Sequence, residues 1–374
     1  VKSYIVIGAG ILGASAAYHL AKTGAHVTLI DREEPGQATR AGAGIICPWL
    51  TRRRNQIWYT LVKKGAAFYP QLLAELEALG ETNTGYAKVG AIRLHDAEEE
   101  LERVLEIAEE RKADAPEMGV ITKLSPQKTK ALFPPLDPAY GSIHISGAAR
   151  VKGQVLCESL IRAAKKLGAE TVNADVKLIE EGQTIKGVRS EDQEWRVDKV
   201  ILTGGAWAKS LLKPLHLQFY LRPQKAQIVH LDLPRAQTDA WPVVIPPGNQ
   251  YLLAFGGGHI IAGATHENDA GFDSRVTAGG VNDVLGKLLK VAPGLAEATW
   301  IETRVGFRPV TPDSVPVMGM WPPYSGLVIA NGLGASGLTA GPYFGSQLAK
   351  LALGVELELN LADYDLAKAI QVME

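Results

Sequence analysis

Cysteine is scarce in this chain: Cys47 and Cys157 are the only two among 374 residues. Two isolated thiols give no CxxC pair and no zinc-type cluster, so a disulfide framework and a cysteine-based metal site are excluded. Net charge is nearly absent too. The chain carries 39 Lys and Arg against 40 Asp and Glu, a formal balance of −1. A nucleic-acid binder carries a strong basic footprint, so no nucleic-acid partner is expected. Long apolar runs are missing, and no uninterrupted stretch approaches the ~18 residues that a membrane-spanning helix needs. No integral membrane segment is expected, and the expected location is cytoplasmic. No Ser/His/Asp or Cys/His nucleophilic arrangement is evident. What remains, 46% hydrophobic and 21% charged, is the composition of an ordinary globular enzyme, and the length exceeds that of a typical single domain.

Glycine, by contrast, is plentiful at 39 residues, and it concentrates in two turns more than three hundred positions apart. The first, Gly8-Ala9-Gly10-Ile11-Leu12-Gly13, follows an apolar run at 4–7 and precedes a helical pattern at 14–22. In this pattern Gly8 permits the tight turn out of a strand, Gly10 lets backbone N–H groups approach phosphates, and Gly13 allows close helix–strand packing. The helix start supplies orphan N–H groups and a partial positive charge. A second apolar strand at 26–30 ends in Asp31, whose carboxylate can accept hydrogen bonds from an adenosine ribose. The second glycine turn, 332–341, lies between an apolar run at 326–330 and a helical stretch at 343–353. One such turn can hold a pyrophosphate. Two at opposite ends of one chain predict a long cofactor gripped at both ends.

Between the turns the texture changes several times. Residues 37–44 are mostly small and lead into Ile45-Ile46-Cys47-Pro48-Trp49, leaving room for a flat ligand, with Thr39 and backbone groups available to phosphate. Leu101, Val104, Leu105 and Ala108 recur at helical spacing among glutamates, which predicts a solvated acidic helix. Arg52-Arg53-Arg54 reads as an exposed charged turn, with steering of an anionic substrate as the alternative. An apolar stripe of Val155, Leu156, Leu160, Ile161 and Ala164 predicts another helix. Strands are expected over 170–176 and 197–202, the second running into Thr203-Gly204-Gly205-Ala206-Trp207. Strand-like alternation dominates 220–305, at 227–231, 250–255 and 259–263, with Gly256-Gly257-Gly258 as a hairpin turn. The expected fold is α/β: a Rossmann-like nucleotide domain in three pieces, 1–48, 141–220 and 305–374. A second, α+β substrate domain on a mostly antiparallel sheet is expected from 49–140 and 221–304.

These pieces, in this order, resemble the FAD-dependent D-amino-acid oxidase superfamily, most closely its glycine oxidase and sarcosine oxidase branch. The likeness is carried by the 8–13 turn with Asp31, by 38–44, by 203–207, by 331–341, and by Gly306-Phe307-Arg308-Pro309-Val310-Thr311-Pro312-Asp313-Ser314-Val315-Pro316. The last pattern is the most specific and separates the superfamily from NAD dehydrogenases. The resemblance implies a glutathione-reductase-type nucleotide domain and an extended, non-covalent FAD whose flavin lies between the domains. It assigns the adenosine diphosphate end to Gly8, Ala9, Gly10, Ile11, Leu12 and Gly13. Asp31 takes the ribose, where the family usually has Glu, and Arg32 lies near the adenosine. Ala38, Thr39, Arg40, Ala43, Gly44 and Ile45 line the pyrophosphate and ring, Val176 touches the adenine, and Thr203, Gly204 and Trp207 join the cofactor site. Gly334, Ala335, Ser336, Gly337, Leu338 and Thr339, at a helix start, bracket the pyrimidine side. There backbone N–H groups can stabilise negative charge on the reduced ring.

A carboxylate is best matched by a bidentate guanidinium. Arg308, in the Gly-Phe-Arg-Pro turn, occupies the position where glycine oxidase-like members place that arginine, so it counts toward both substrate and cofactor. Tyr251 is the second candidate, its hydroxyl assisting the carboxylate, and His266 is the third. Expected partners are thus a small amino acid and an electron acceptor, with a homo-oligomer left open. The implied reaction is oxidative deamination or demethylation of glycine, sarcosine or a D-amino acid, by hydride transfer from the α-carbon to flavin N5, giving an imine that hydrolyses. O2 as acceptor makes the enzyme an oxidase, and a quinone or other acceptor makes it a dehydrogenase. Two rivals stand beside this reading. The 306–316 pattern speaks against a flavin monooxygenase, and Arg308 with Tyr251 speaks against a non-catalytic FAD-binding protein.

Overall fold

The computed structural model describes residues 1–51, 53 and 55–373; of the arginine turn, Arg52 and Arg54 lie outside the described residues. The first strand, Ser3–Ile7, is nearly all apolar and buried. Such a strand belongs in the middle of a parallel sheet, covered on both faces. The observed six-strand order is Val317–Met320, Leu327–Asn331, Lys199–Leu202, Ser3–Ile7, His26–Asp31, Glu170–Asn173, parallel except for the first-named edge. Helix Ile11–Ala21 packs between this sheet and two further helices, Gly153–Lys166 and Gly337–Leu353. It is buried almost all round, which explains its run of small residues. A Cβ on Gly345 would come within 2.6 Å of the Ser15 Cβ, so glycine sets how closely the first and last helices cross.

The second sheet has eight strands in the order Thr299–Val310, Arg222–Asp232, His259–Gly263, Tyr251–Ala254, Val243–Ile245, Ala91–His95, Gly141–Ile145, Ile121–Leu124. Every pairing is antiparallel except that of Val243–Ile245 with Ala91–His95. Ile92, Leu94, Val229, Leu231, Val244 and Leu252 fill a core on one face, together with Val284 and Leu288 of helix Ala278–Val291. Period-2 alternation then turns Ala226, Ile228 and Tyr251 to the other face. Helix Gln56–Ala78, which the sequence reading does not resolve, starts at an Asn55 cap that accepts from Trp58 N at 2.9 Å and runs through Pro70 to pack on the last helix.

The expected divisions at 141 and 305 pass through the second sheet. Gly141–Ile145 is one of its interior strands, and Thr299–Val310 spans position 305. Other boundaries shift as well. The strand expected over 170–176 stops at Asn173, and the one expected over 250–255 is Tyr251–Ala254. Gly306-Phe307-Arg308-Pro309 is not a turn but the end of a twelve-residue edge strand. Pro309 is tolerated there because an edge strand has ladder positions that need no N–H. Phe307 N meanwhile donates to Gly36 O at 2.9 Å. The acidic helix is Glu98–Lys112, and its Leu101, Val104 and Ala108 are buried.

Candidate active site

A long cleft, about 1630 Å³ counting its open mouth, lies at the carboxyl ends of the parallel strands and under the second sheet. Open α/β sheets bind ligands in that position. Its lining runs from the 8–12 turn at one end to the 332–338 turn at the other, so the cleft suits an extended molecule. Its floor comes from Ile7, Ile30, Thr203 and Asn331, and its roof from Ala226, Ile228, Tyr251 and Arg308.

At the first end, Gly8, Gly10, Ile11 and Leu12 line the cleft. Gly8 has φ +102°, and a Cβ there would lie 2.6 Å from Thr203 O. Ala9 and Gly13 sit behind this lining. Ala9 O accepts from the Cys157 thiol at 3.1 Å, and a Cβ on Gly13 would reach within 1.8 Å of Gly8 O. Helix Ile11–Ala21 has no side-chain cap from Gly10 and no acidic residue in its first turn, so its positive end is left for an anion. Asp31 accepts from Ala9 N and Glu33 N, both at 2.6 Å, and from Gln37 Nε2 at 2.8 Å. A carboxylate has about four acceptor sites, so one remains for a ribose hydroxyl.

Arg32 lines the same end and pairs with Asp175 at 3.0 Å. Ala38, Thr39, Ala43, Gly44, Ile45, Val176, Thr203, Gly204 and Trp207 also line the cleft. The Thr39 hydroxyl is committed to the protein, accepting from Ile11 N at 3.0 Å. Arg40 points away, 3.8 Å from the Glu33 carboxylate and half exposed.

At the other end, Gly334, Ala335, Gly337 and Leu338 line the cleft, and a Cβ on Gly337 would meet nothing within 4 Å. The last helix also lacks a side-chain cap and a first-turn acid. Ser336 and Thr339 lie outside the lining. Ser336 Oγ accepts from Trp58 Nε1 at 2.8 Å, and Thr339 Oγ1 donates to Ile45 O at 2.9 Å. Asn331 joins the two ends: its Nδ2 donates to Gly205 O at 2.9 Å, and its Oδ1 accepts from Gly332 N at 2.8 Å.

Arg308 and Tyr251 both line the cleft. Burial lowers the Arg308 pKa, and the neighbouring Tyr251 hydroxyl works against that shift. Burial raises the Tyr251 pKa, opposed by the Arg308 charge. The guanidinium donates from Nη1 to Gln224 Oε1 at 3.1 Å, and no carboxylate among the described residues pairs with it. An arginine cannot shed its proton, so this is a partly desolvated cation without an anionic partner among the described residues. His266 lies outside the lining. It is exposed by surface area yet crowded enough that desolvation, and then the Arg308 charge, lowers its pKa.

Lining residues outside the sequence-based assignment include Glu34, Gln37, Asp175, Ala226, Ile228 and Phe307. Ala226 and Ile228 obey the period-2 rule once one of them is placed. Gln37 offers no such signal, since its role is visible only in its bond to Asp31.

The cleft fits FAD on three counts: two helix starts without an N-cap side-chain bond or a first-turn acid face it, glycine is sterically enforced at its phosphate end, and a carboxylate keeps a free acceptor site beside it. No helix among the described residues is long and apolar enough to cross a membrane. Comparison with known proteins agrees with this fit. The chain is 57% identical to the uncharacterized oxidoreductase YurR of Bacillus subtilis (strain 168), over 99% of this chain and all of that one. It is 29% identical to a glycine oxidase of Pseudomonas aeruginosa, over 96% of this chain and 97% of the relative. The crystal structure of an iminodiacetate oxidase from Chelativorans sp. BNC1 superposes with a TM-score of 0.94 at 46% identity, covering 97% of this chain and 98% of the other. The family described as FAD dependent oxidoreductase matches residues 3–351. The chain therefore belongs to the FAD-dependent oxidoreductase family and is an enzyme of the glycine oxidase type.

Proposed function

We propose that this enzyme oxidises the C–N bond of a small amino acid whose carboxylate is clamped by Arg308. The observation that carries the reading is a cleft-lining guanidinium without a carboxylate partner among the described residues. Arg308 would hold the carboxylate by charge-assisted, two-pronged hydrogen bonds, and the Tyr251 hydroxyl beside it would donate a further one. Burial keeps that tyrosine protonated, as a donor must be. FAD, when bound without a covalent link, supplies the two-electron acceptor for the hydride of the α-carbon. The amine lone pair closes the C=N bond, and water hydrolyses the resulting imine to a carbonyl acid and a free amine. The protein's part is positioning, which fixes the α-C–H against the acceptor. Neither cysteine lies in the cleft lining, which supports non-covalent FAD. Gly8, Gly10, Ile11, Leu12 and Asp31 would hold the adenosine diphosphate, and Gly334, Ala335, Gly337 and Leu338 the pyrimidine edge.

Relatives described as oxidising glycine and iminodiacetate support a substrate with a carboxylate beside an amine or a secondary amine. A panel of glycine, sarcosine, iminodiacetate and D-alanine tests this on purified holoenzyme. Anaerobic loss of the 450-nm band type of flavin absorbance with at least one of them, and peroxide formation in air, are the expected results. Yellow protein bleached by none of them would overturn the reading.

A further inference from the structure

The Arg308 guanidinium needs an orientation before it can serve as a clamp, and the structure shows what supplies it. Arg308 sits directly across the antiparallel ladder from Gln224. Its Nη1 donates to Gln224 Oε1 at 3.1 Å, and Gln224 Nε2 donates in turn to Asn268 Oδ1 at 2.8 Å. The amide orientations follow from chemistry. Arginine has only donors, so Gln224 must present its oxygen, which turns its NH2 to Asn268 and requires the oxygen of that amide. The far end of the chain is anchored. Glu267, next to Asn268, exchanges both main-chain hydrogen bonds with Lys225, at 3.0 and 2.9 Å. The Lys225 side chain is 1% exposed and donates to Arg275 O at 2.8 Å. Thr265 Oγ1 accepts from Gln227 N at 2.9 Å and fixes the other side of the same loop.

We propose that Gln224, backed by Asn268, is a positioning residue that orients Arg308 for the substrate carboxylate while leaving its charge uncompensated. The proposal rests on the clamp assigned above to Arg308. A carboxamide holds one N–H of the fork and adds no negative charge, so the guanidinium stays directed and electrostatically open. A glutamate at 224 would hold the same N–H but form an ion pair, in competition with the substrate. A side chain without a polar atom would leave the guanidinium free to turn. Gln224 itself lies outside the cleft lining.

The test uses glycolate, a carboxylate with no amine to oxidise, titrated into FAD-loaded enzyme and read by the change in flavin absorbance. Gln224→Glu is expected to raise the glycolate Kd at least 30-fold at pH 8, relative to wild type at the same pH. The ratio should fall to within about fivefold at pH 5, as the new carboxyl takes a proton. Gln224→Met is expected to raise Kd about tenfold with no pH dependence of the ratio, and FAD content should stay unchanged in both variants. A purely structural role would not produce the pH-reversible ratio. If Arg308→Ala loses glycolate binding while both Gln224 variants stay within threefold of wild type at every pH, the positioning role is overturned and the clamp stands. If wild type binds no glycolate and turns over no amino acid, the clamp fails, and the positioning role with it.

Discussion

The two ends of the cleft satisfy their polar groups in opposite ways. At the adenosine end Asp31 already accepts three hydrogen bonds from the protein, and the Thr39 hydroxyl is held by Ile11 N. At the proposed substrate end the Arg308 charge lies beside the neutral groups of Gln224 and Tyr251, with no carboxylate partner among the described residues. The first end is a built mould whose shape is maintained by the protein's own contacts. The second keeps a deficit for the ligand to fill. A permanently bound cofactor suits a mould, and a substrate that comes and goes suits a deficit, because leaving a buried charge unpaired costs stability that binding restores.

Filling the mould should have the largest effect. Among the described residues beyond its chain neighbours, a Cβ on Gly10 would meet Thr39 Oγ1 at 3.3 Å, so Gly10→Val adds a side chain at the cleft surface and presses on the Thr39 hydroxyl. The expected outcome is folded apoprotein, with FAD per chain near zero by absorbance and an unchanged circular dichroism spectrum. Normal FAD content would show that the phosphates do not pass Gly10.

Removing the charge should weaken substrate and spare the cofactor. Arg308→Ala is expected to raise KM for the carboxylate substrate roughly 10- to 150-fold, the equivalent of about 1.5–3 kcal/mol for a charge-assisted contact, with full FAD content. An unchanged KM would remove Arg308 from the clamp and erase the contrast between the ends.

Acid should act on neither end first, but on the sheet that roofs the cleft. His230 is 2% exposed, and its Nδ1 lies 2.9 Å from His259 Nε2. Burial, then the Arg304 and His259 charges, lowers its pKa to about 4. The unfolded chain binds that proton near pH 6.5, so unfolding takes up a proton as the pH falls. The stability from neutral His230 is complete above about pH 6.5 and is lost as the pH drops through 4, by about 3 kcal/mol at most. Urea midpoints at pH 7.5, 5.5 and 4.5 should show this decline, and His230→Gln should reduce it, leaving the part due to His19, whose pKa burial likewise lowers to about 4. An equal decline in the variant would place the acid sensitivity elsewhere.

The adenosine end was legible in the sequence because its logic is local. Gly8, Gly10 and Gly13 lie within one turn, and Asp31 closes the next strand. The substrate end was legible only through family likeness, and incompletely. Gly306 and Pro309 read as a turn because glycine and proline usually break strands, yet an edge position and the bond from Phe307 N to Gly36 O keep them extended. Gln37, Gln224 and Asn268 carry no motif, since each acts through a partner that only the fold brings near. Arg40, Ser336 and Thr339 lie in segments beside the cleft, but their side chains are turned to Glu33, Trp58 and Ile45. Segment and side-chain direction are separate questions, and spacing answers the first more readily than the second.

The central strand at Ser3–Ile7 and the strand at Leu327–Asn331 belong to one sheet, and Ser15 Oγ reaches across the chain to Pro342 O at 2.6 Å. That arrangement sets a timetable for synthesis. The 300 residues from 32 to 331 take roughly 15–60 s to make at about 5–20 residues per second. Throughout that interval the earliest strands lack a completed sheet. The early strands therefore wait with open edges until Asn331 is made, and the cleft between the two glycine turns is complete only once that strand has joined the sheet.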